Sequence, residues 1–347
     1  MQLPMWALIM EAHHHSHPAL PSMRGGLPHT NTSLFPSPVH SKMPHAATIR
    51  ESAAAEPLLP LLSPGQGHWT TSQVGKIGRR PKPKNQDAYF YRDFVRPVLQ
   101  VAGVCDGHGE HGHYVSAFVA QQLPLIIRDL SCKYGGRSSW PKVMHEGFLH
   151  CCALLKQQNF DTACSGTTCV FLAVHQGYIH CANVGDSRAV LATVTERGIT
   201  ATDLSHDHKP DKPEEKRRLL KFRARIGSDV TPHGHSEGPL RVWVKDESFP
   251  GLAMTRVLGD WPASQAGVIS APEVVSRALN PEDRFVLAAS DGVWEMVSSE
   301  EAVVTVGQAL AKGRSGSKAL VDLAVRRWQE REDSTDDVTV VVVELKP

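Results

Sequence analysis

Val98-Leu99-Gln100-Val101-Ala102-Gly103-Val104, followed at once by Cys105-Asp106-Gly107-His108-Gly109, is the stretch from which the rest of the chain can be read. The apolar run is short and ends in glycine-punctuated polar sequence, so it reads as a buried strand that delivers Asp106 at its end. Downstream, Val115, Phe118, Val119 and Gln122-Leu123 recur at helical spacing, which predicts a helix up to Pro124, and Trp140 to Leu155 reads as a second helix. Thr167 to Val174, a His175-Gln176-Gly177 turn and Tyr178 to Val184 form a hairpin signal; Asp186-Ser187-Arg188 interrupts it and Ala189-Val190-Leu191 resumes. Phe285 to Ala289 and Val338 to Val343 lack polar alternation and read as strands buried on both faces. Strands in hairpins with helices in blocks predict an α+β layer architecture, an antiparallel sheet core covered by helices.

Composition bounds the function. The chain has 347 residues, 41% hydrophobic and 21% charged, enough apolar content to bury a core. Lys+Arg 37 against Asp+Glu 36 gives a net charge of +1, without the basic excess of a nucleic-acid or anionic-membrane binder. No apolar run approaches the ~20 residues of a membrane span. All seven cysteines lie between Cys105 and Cys181 with no Cys-x-x-Cys pair, which predicts free thiols and an intracellular, reducing compartment, cytoplasm or nucleus. Residues 1–67 are rich in Pro and His, with Glu11, Glu51 and Glu56 as the only acids. They read as a disordered extension ahead of one catalytic domain over 68–347, and organelle targeting by that extension stays open. Its His13-His14-His15-Ser16-His17 tract reads as a solvated low-complexity run.

The aspartates carry the chemistry. Asp106 ends one apolar run, Asp291 ends another, Asp336 precedes a third and Asp186 follows a fourth. One Asp at a strand end is ordinarily a turn former or a helix cap. Four of them, two followed by glycine, predict acids converging on one rim of a sandwich, where they repel unless cations neutralise them. Hard oxygen ligands select Mg²⁺ or Mn²⁺ over zinc. In Asp106-Gly107-His108-Gly109, glycine lets the backbone approach an ion, and the histidine stands where it can protonate a leaving oxygen.

Eight motifs then occur in one order: Lys84-Asn85-Gln86-Asp87, Asp106-Gly107-His108-Gly109, Ser165-Gly166-Thr167-Thr168, Asn183-Val184-Gly185-Asp186-Ser187-Arg188, Asp207-His208-Lys209-Pro210, Arg256-Val257-Leu258-Gly259-Asp260, Ser290-Asp291-Gly292-Val293-Trp294 and Asp336-Asp337-Val338-Thr339. Together they resemble the metal-dependent protein serine/threonine phosphatases of the protein phosphatase 2C family, over about residues 70 to 345. Gly112-His113-Tyr114-Val115-Ser116 and Pro250 to Met254 resemble the variants of plant and protist members. The resemblance implies a central sandwich of two antiparallel sheets flanked by helices on both faces. It also implies Mg²⁺- or Mn²⁺-dependent hydrolysis of phosphoserine and phosphothreonine in proteins, with two ions per site and a weaker third, in a monomer. Asp87 would hold a metal-bound water, Asp106 would bridge both ions, Gly107 would ligate through its carbonyl, and Asp291 and Asp336 would complete the other ion's shell. Asp186 would serve the third ion, and His108 would be the general acid in an in-line attack by hydroxide.

Several positions depart from the family pattern. Gln86 replaces a carboxylate, and Glu295 stands where relatives often carry Asp. Lys82, with Arg79, Arg80 and Lys84 around it, takes the place of a phosphate-gripping arginine and would bind phosphate as a point charge. Asp337 reads as a supporting or turn carboxylate, His111 and His113 as loop and helix-start residues, His206 and His208 as turn residues, Glu214 to Arg218 as a solvated helix face, and residues 226–250 as the family's variable flap. No metal aspartate is lost, which argues against a binding module without turnover.

Overall fold

The computed structural model describes residues 67–78, 80–96, 98–134, 139–196, 198–230 and 236–345. The expectations for the N-terminal extension up to Gln66, and for Arg79, lie outside these residues.

In chain order the elements are β1 (His68–Gln73), β2 (Lys76–Ile77), β3 (Arg80–Pro81), β4 (Asp87–Phe94), β5 (Leu99–Gly109), α1 (Gly112–Tyr134), α2 (Trp140–Leu155), β6 (Ser165–Thr167), β7 (Cys169–His175), β8 (Tyr178–Val184), β9 (Arg188–Thr195) and β10 (Gly198–Asp203). After them come α3 (Pro213–Lys221), β11 (Arg225–Val230), β12 (Ser236–Trp243), β13 (Pro250–Leu252), β14 (Leu258–Gly259), a 3₁₀ turn (Trp261–Ala266), β15 (Glu273–Ala278), β16 (Asp283–Ala289), α4 (Asp291–Trp294), α5 (Ser299–Ala311), α6 (Gly316–Arg331) and β17 (Val338–Glu344).

Two antiparallel sheets form the centre. One runs β1-β17-β16-β9-β10; in the other, β5 is flanked by β4 and by β7, which leads on to β8 and β15. The valine-rich β17 shows why alternation is missing. Val338, Val340 and Val342 pack under α5 and α6, while Val341 and Val343 face the opposite sheet, so both sides of the strand are apolar. Helices α1 and α2 cover the outer face of the second sheet, which completes the expected helix–sheet–sheet–helix stack. The hairpin between β7 and β8 turns on Gln176 and Gly177 with φ of 49° and 73°, the left-handed pair that matches strand twist.

One expectation needs correction. The first helix does not stop before Pro124 but continues to Tyr134. The proline removes one backbone donor, a cost of about 3 kcal/mol. The continuous buried stripe Val115, Phe118, Val119, Leu123, Ile126 and Ile127 outweighs it. Against that stripe α2 packs so closely that a Cβ on Gly147 would lie 2.3 Å from Ile127 Cδ1. Within the segment expected to form the flap, Arg225–Val230, Ser236–Trp243 and Pro250–Leu252 pair as a small sheet, β11-β12-β13, with α3 and a separate core around Leu219, Val242 and Leu252.

Candidate active site

Strand register alone brings the first two acids together. Asp87 opens β4 directly opposite Asp106 on β5, on the face that carries Tyr91 and Val104 into the space between the sheets. On the opposing sheet, Ser290 and Asp291 follow directly on the end of β16, and β17 begins just after Asp336 and Asp337. Ser290 ties the two sheets: its Oγ donates to Asp87 Oδ2 at 2.8 Å and accepts from the Thr339 N–H at 3.0 Å. Asp337 accepts from the Gly75 and Gln86 N–H groups at 2.7 and 2.9 Å, the supporting role expected of it. Asp186 sits in the turn after β8, behind Gly185 at φ 107°.

The electrostatics show that these acids share one space. Burial, then Asp87, Asp291, Asp336 and Asp186 together, push the Asp106 carboxyl well above the ordinary range. Burial pushes Asp87 up to about 7, with Asp337 and Asp336 adding to it against hydrogen bonds from Thr339 and Ser290. Asp291 is raised by burial, Asp186 and Asp336. Glu295 is raised by burial as well, and it feels Lys209, Asp336 and Asp186, so it too borders the cluster.

Two lysines partly balance this charge. Lys82 Nζ lies on Asp336 Oδ1 and 3.8 Å from Asp337 Oδ2, so the expected phosphate-binding ammonium is at the site, seated on a carboxylate. Lys209 Nζ lies on Asp186 Oδ2. Among the described residues no three His, Cys, Asp or Glu side chains form a ready cage for an ion. The donor set nevertheless fits hard divalent cations, because Asp87 Oδ1, Asp186 Oδ1 and Asp291 Oδ1 are buried and accept no hydrogen bond. Orphaned carboxylate oxygens facing like charges are costly unless cations share them. Gly107 adds a backbone oxygen where only glycine fits, since a Cβ would lie 2.4 Å from the Gly112 oxygen and 2.6 Å from that of Gln86. Gln86 itself donates from Nε2 to the Gly109 carbonyl at 2.6 Å. A carboxylate, which has no proton to give, could not make that bond.

His108, near the end of β5, meets a residue to which the sequence assigned no role: its Nε2 is 2.5 Å from Asp260 Oδ2. The Arg-Val-Leu-Gly-Asp motif holds Asp260, but nothing in the motif tells which side chain it meets. Lys209 was likewise visible in Asp-His-Lys-Pro without a partner. His208 in the same motif lies in the connection between β10 and α3 as expected, but is buried at 3% exposure and accepts from the Gly185 N–H at 3.1 Å.

Glu215 overturns the solvated-face expectation for Glu214 to Arg218. It is 3% exposed and receives Arg218, Arg256 and Thr255. Burial would raise its carboxyl, but those donors hold it well below the usual range.

The protein phosphatase 2C family profile matches residues 96–334. The chain is 34% identical over 277 residues to "Probable protein phosphatase 2C 72" of Arabidopsis thaliana, covering 76% of this chain and 82% of that one. It is 37% identical over 253 residues to "Probable protein phosphatase 2C 48" of Oryza sativa subsp. japonica, covering 67% and 70%. The crystal structure of a serine-threonine phosphatase 2C from Toxoplasma gondii superposes with a TM-score of 0.70 at 21% identity, over 83% of this chain and 97% of that one, and supports the fold. The chain belongs to the protein phosphatase 2C family and is a protein serine/threonine phosphatase.

Proposed function

We propose that the protein hydrolyses phosphoserine and phosphothreonine in protein substrates with Mg²⁺ or Mn²⁺. Asp87, Asp106, the Gly107 carbonyl, Asp291 and Asp336 would hold two ions, with Asp186 at the edge of the set. Bound there, such ions lower the pKa of a water and shield phosphate charge. The observation that carries this reading is the group of buried, mutually repelling carboxylates, three of them with an unpartnered oxygen.

The chain's own residues supply the rest. Ser290 and Asp337 fix the positions of Asp87 and of the loops beside it. Lys82 offers a point charge to the phosphate oxygens. His108 gives a proton to the departing Ser or Thr oxygen, worth on the order of 10²–10⁴-fold in rate. Seven unpaired cysteines support a reducing compartment, cytoplasm or nucleus, for a protein that acts as a monomer. No helix among the described residues is long and apolar enough to cross a membrane.

Phosphate release from phosphoserine and phosphothreonine peptides by the full chain is the test. Release should require millimolar Mn²⁺ or Mg²⁺ and stop in excess chelator; turnover that survives the chelator overturns the proposal.

A further inference from the structure

We propose that Asp260 is the positioning residue of the proton donor, fixing which nitrogen of His108 serves the leaving oxygen; the proposal rests on the general-acid role given above to His108. The pair is closely built. Asp260 Oδ2 lies 2.5 Å from His108 Nε2, with the Asp260 side chain 6% exposed and the histidine 26%. A carboxylate only accepts, so Nε2 carries the proton in this contact. That contact is the only side-chain hydrogen bond of His108 among the described residues, which leaves Nδ1 as the edge that can act on substrate.

The backbone around the pair brings the two side chains together. Strands β6 and β14 are only 3 and 2 residues long. Gly166 on β6 is opposite both His108 on β5 and Gly259 on β14, so these short strands place Asp260 beside the imidazole. A Cβ on Gly166 would lie 2.2 Å from Asp260 Oδ2 and 3.0 Å from His108 Nε2, so glycine is what lets the two side chains meet. Asp260 itself is held at φ 45°, ψ 48°, a left-handed conformation uncommon for a residue with a Cβ. Its N–H donates to the Ser165 carbonyl at 3.2 Å, and its own carbonyl accepts from Ala263 at 2.8 Å. An acid placed only to cap the turn would bond a backbone N–H with its side chain; this one bonds the histidine.

In the reaction a water that has given one proton to solvent bonds through its oxygen to phosphorus as the P–Oγ bond breaks. The electron pair leaves with Oγ, which takes the proton from His108 Nδ1, and the ring recovers a proton from solvent. Asp260 keeps its charge throughout and holds the ring.

The test compares two leaving groups at saturating Mn²⁺ in the full chain. A serine alkoxide from a phosphopeptide needs the proton, whereas p-nitrophenolate leaves without it. Asp260→Asn should lower kcat on the phosphopeptide on the order of 10²-fold, the lower part of the general-acid range, and far less on p-nitrophenyl phosphate. Asp260→Glu should recover part of the loss, and Asp260→Asn combined with His108→Gln should lose no more than His108→Gln alone. In the NMR spectrum of the wild-type protein a downfield imidazole N–H proton should appear and be absent from Asp260→Asn, a readout that needs no turnover. If His108→Gln discriminates between the leaving groups while Asp260→Asn slows both equally, or if the losses add, the positioning role is overturned and the general-acid reading stands. If His108→Gln shows no discrimination, both fall.

Discussion

Two groups of buried carboxylates lie in the same domain and differ in one respect. Glu215 is surrounded by donors: Arg218, Arg256 and Thr255 satisfy both of its oxygens, and its proton affinity falls. Asp87, Asp106 and Asp291 are half-buried, with one oxygen of Asp87 and of Asp291 shut from solvent, but face one another, and their proton affinities rise. Burial is common to both, so burial does not separate a structural acid from a functional one. The separation lies in whether the fold supplies donors or leaves lone pairs free for something else.

The largest test of that contrast removes one repelling charge. Asp106→Asn should lower phosphatase activity by roughly 10³-fold, the several kcal/mol expected if this carboxylate helps to hold the proposed ions, while the melting temperature in chelator rises by a few degrees because the cluster repels less. A fall in that melting temperature would mean that the acids hold the fold together, and the contrast would fail. At the other pole, Glu215→Gln should cost about 3–5 kcal/mol in urea unfolding, since Arg218 and Arg256 are left partly buried without a counter-charge, and the folded fraction should keep its turnover. A neutral result there would show that the donor-saturated acid is dispensable.

A smaller effect concerns two buried imidazoles. His180, stacked on Trp140 at 4.5 Å and bonded to Ser276, is lowered to about 4 by burial, with His175 adding to it. His208 is lowered to about 4 by burial, with Arg256 and Arg218 opposing Glu215 and Glu273. Both folded values lie below the unfolded value of 6.5. Their contribution is therefore complete above that pH and lost as pH falls toward 4. By pH 5 each ring should have cost about 2 kcal/mol, read as a drop in urea midpoint between pH 7.5 and pH 5 that flattens in His180→Gln. A midpoint that rises on acidification reverses the sign.

What could be read in the sequence follows from locality. Strands such as Val338 to Val343 announce themselves because an apolar run without alternation has few other uses, and acids at their ends mark a rim. Trp140 to Leu155 was legible to the residue, helped by Pro141 in the first turn. Pro124 misled because a local rule met a buried stripe longer than the stretch that the rule surveys. Glu215 misled because its run of charges looks like any exposed helix face, and only the distant Thr255 and Arg256 reveal otherwise. Asp260 could be quoted but not assigned, since its partner is 152 positions away and its left-handed backbone leaves no mark in composition. The mutual placement of Lys209 and Asp186 is hidden in the same way.

Strand β5 exchanges neighbours along its length: β7 accompanies it from Gln100 to Val104, and β6 takes over at Gly107. Asp106 therefore lies at a seam, with a rigid weave behind it and a light two-strand annex ahead. The annex is tied to the acid as well as to the imidazole: the Asp106 carbonyl accepts from the Thr168 N–H at 2.9 Å and from the Thr167 hydroxyl at 3.0 Å. Sequence drift in the annex therefore reaches the acid and the imidazole together, along one continuous strand.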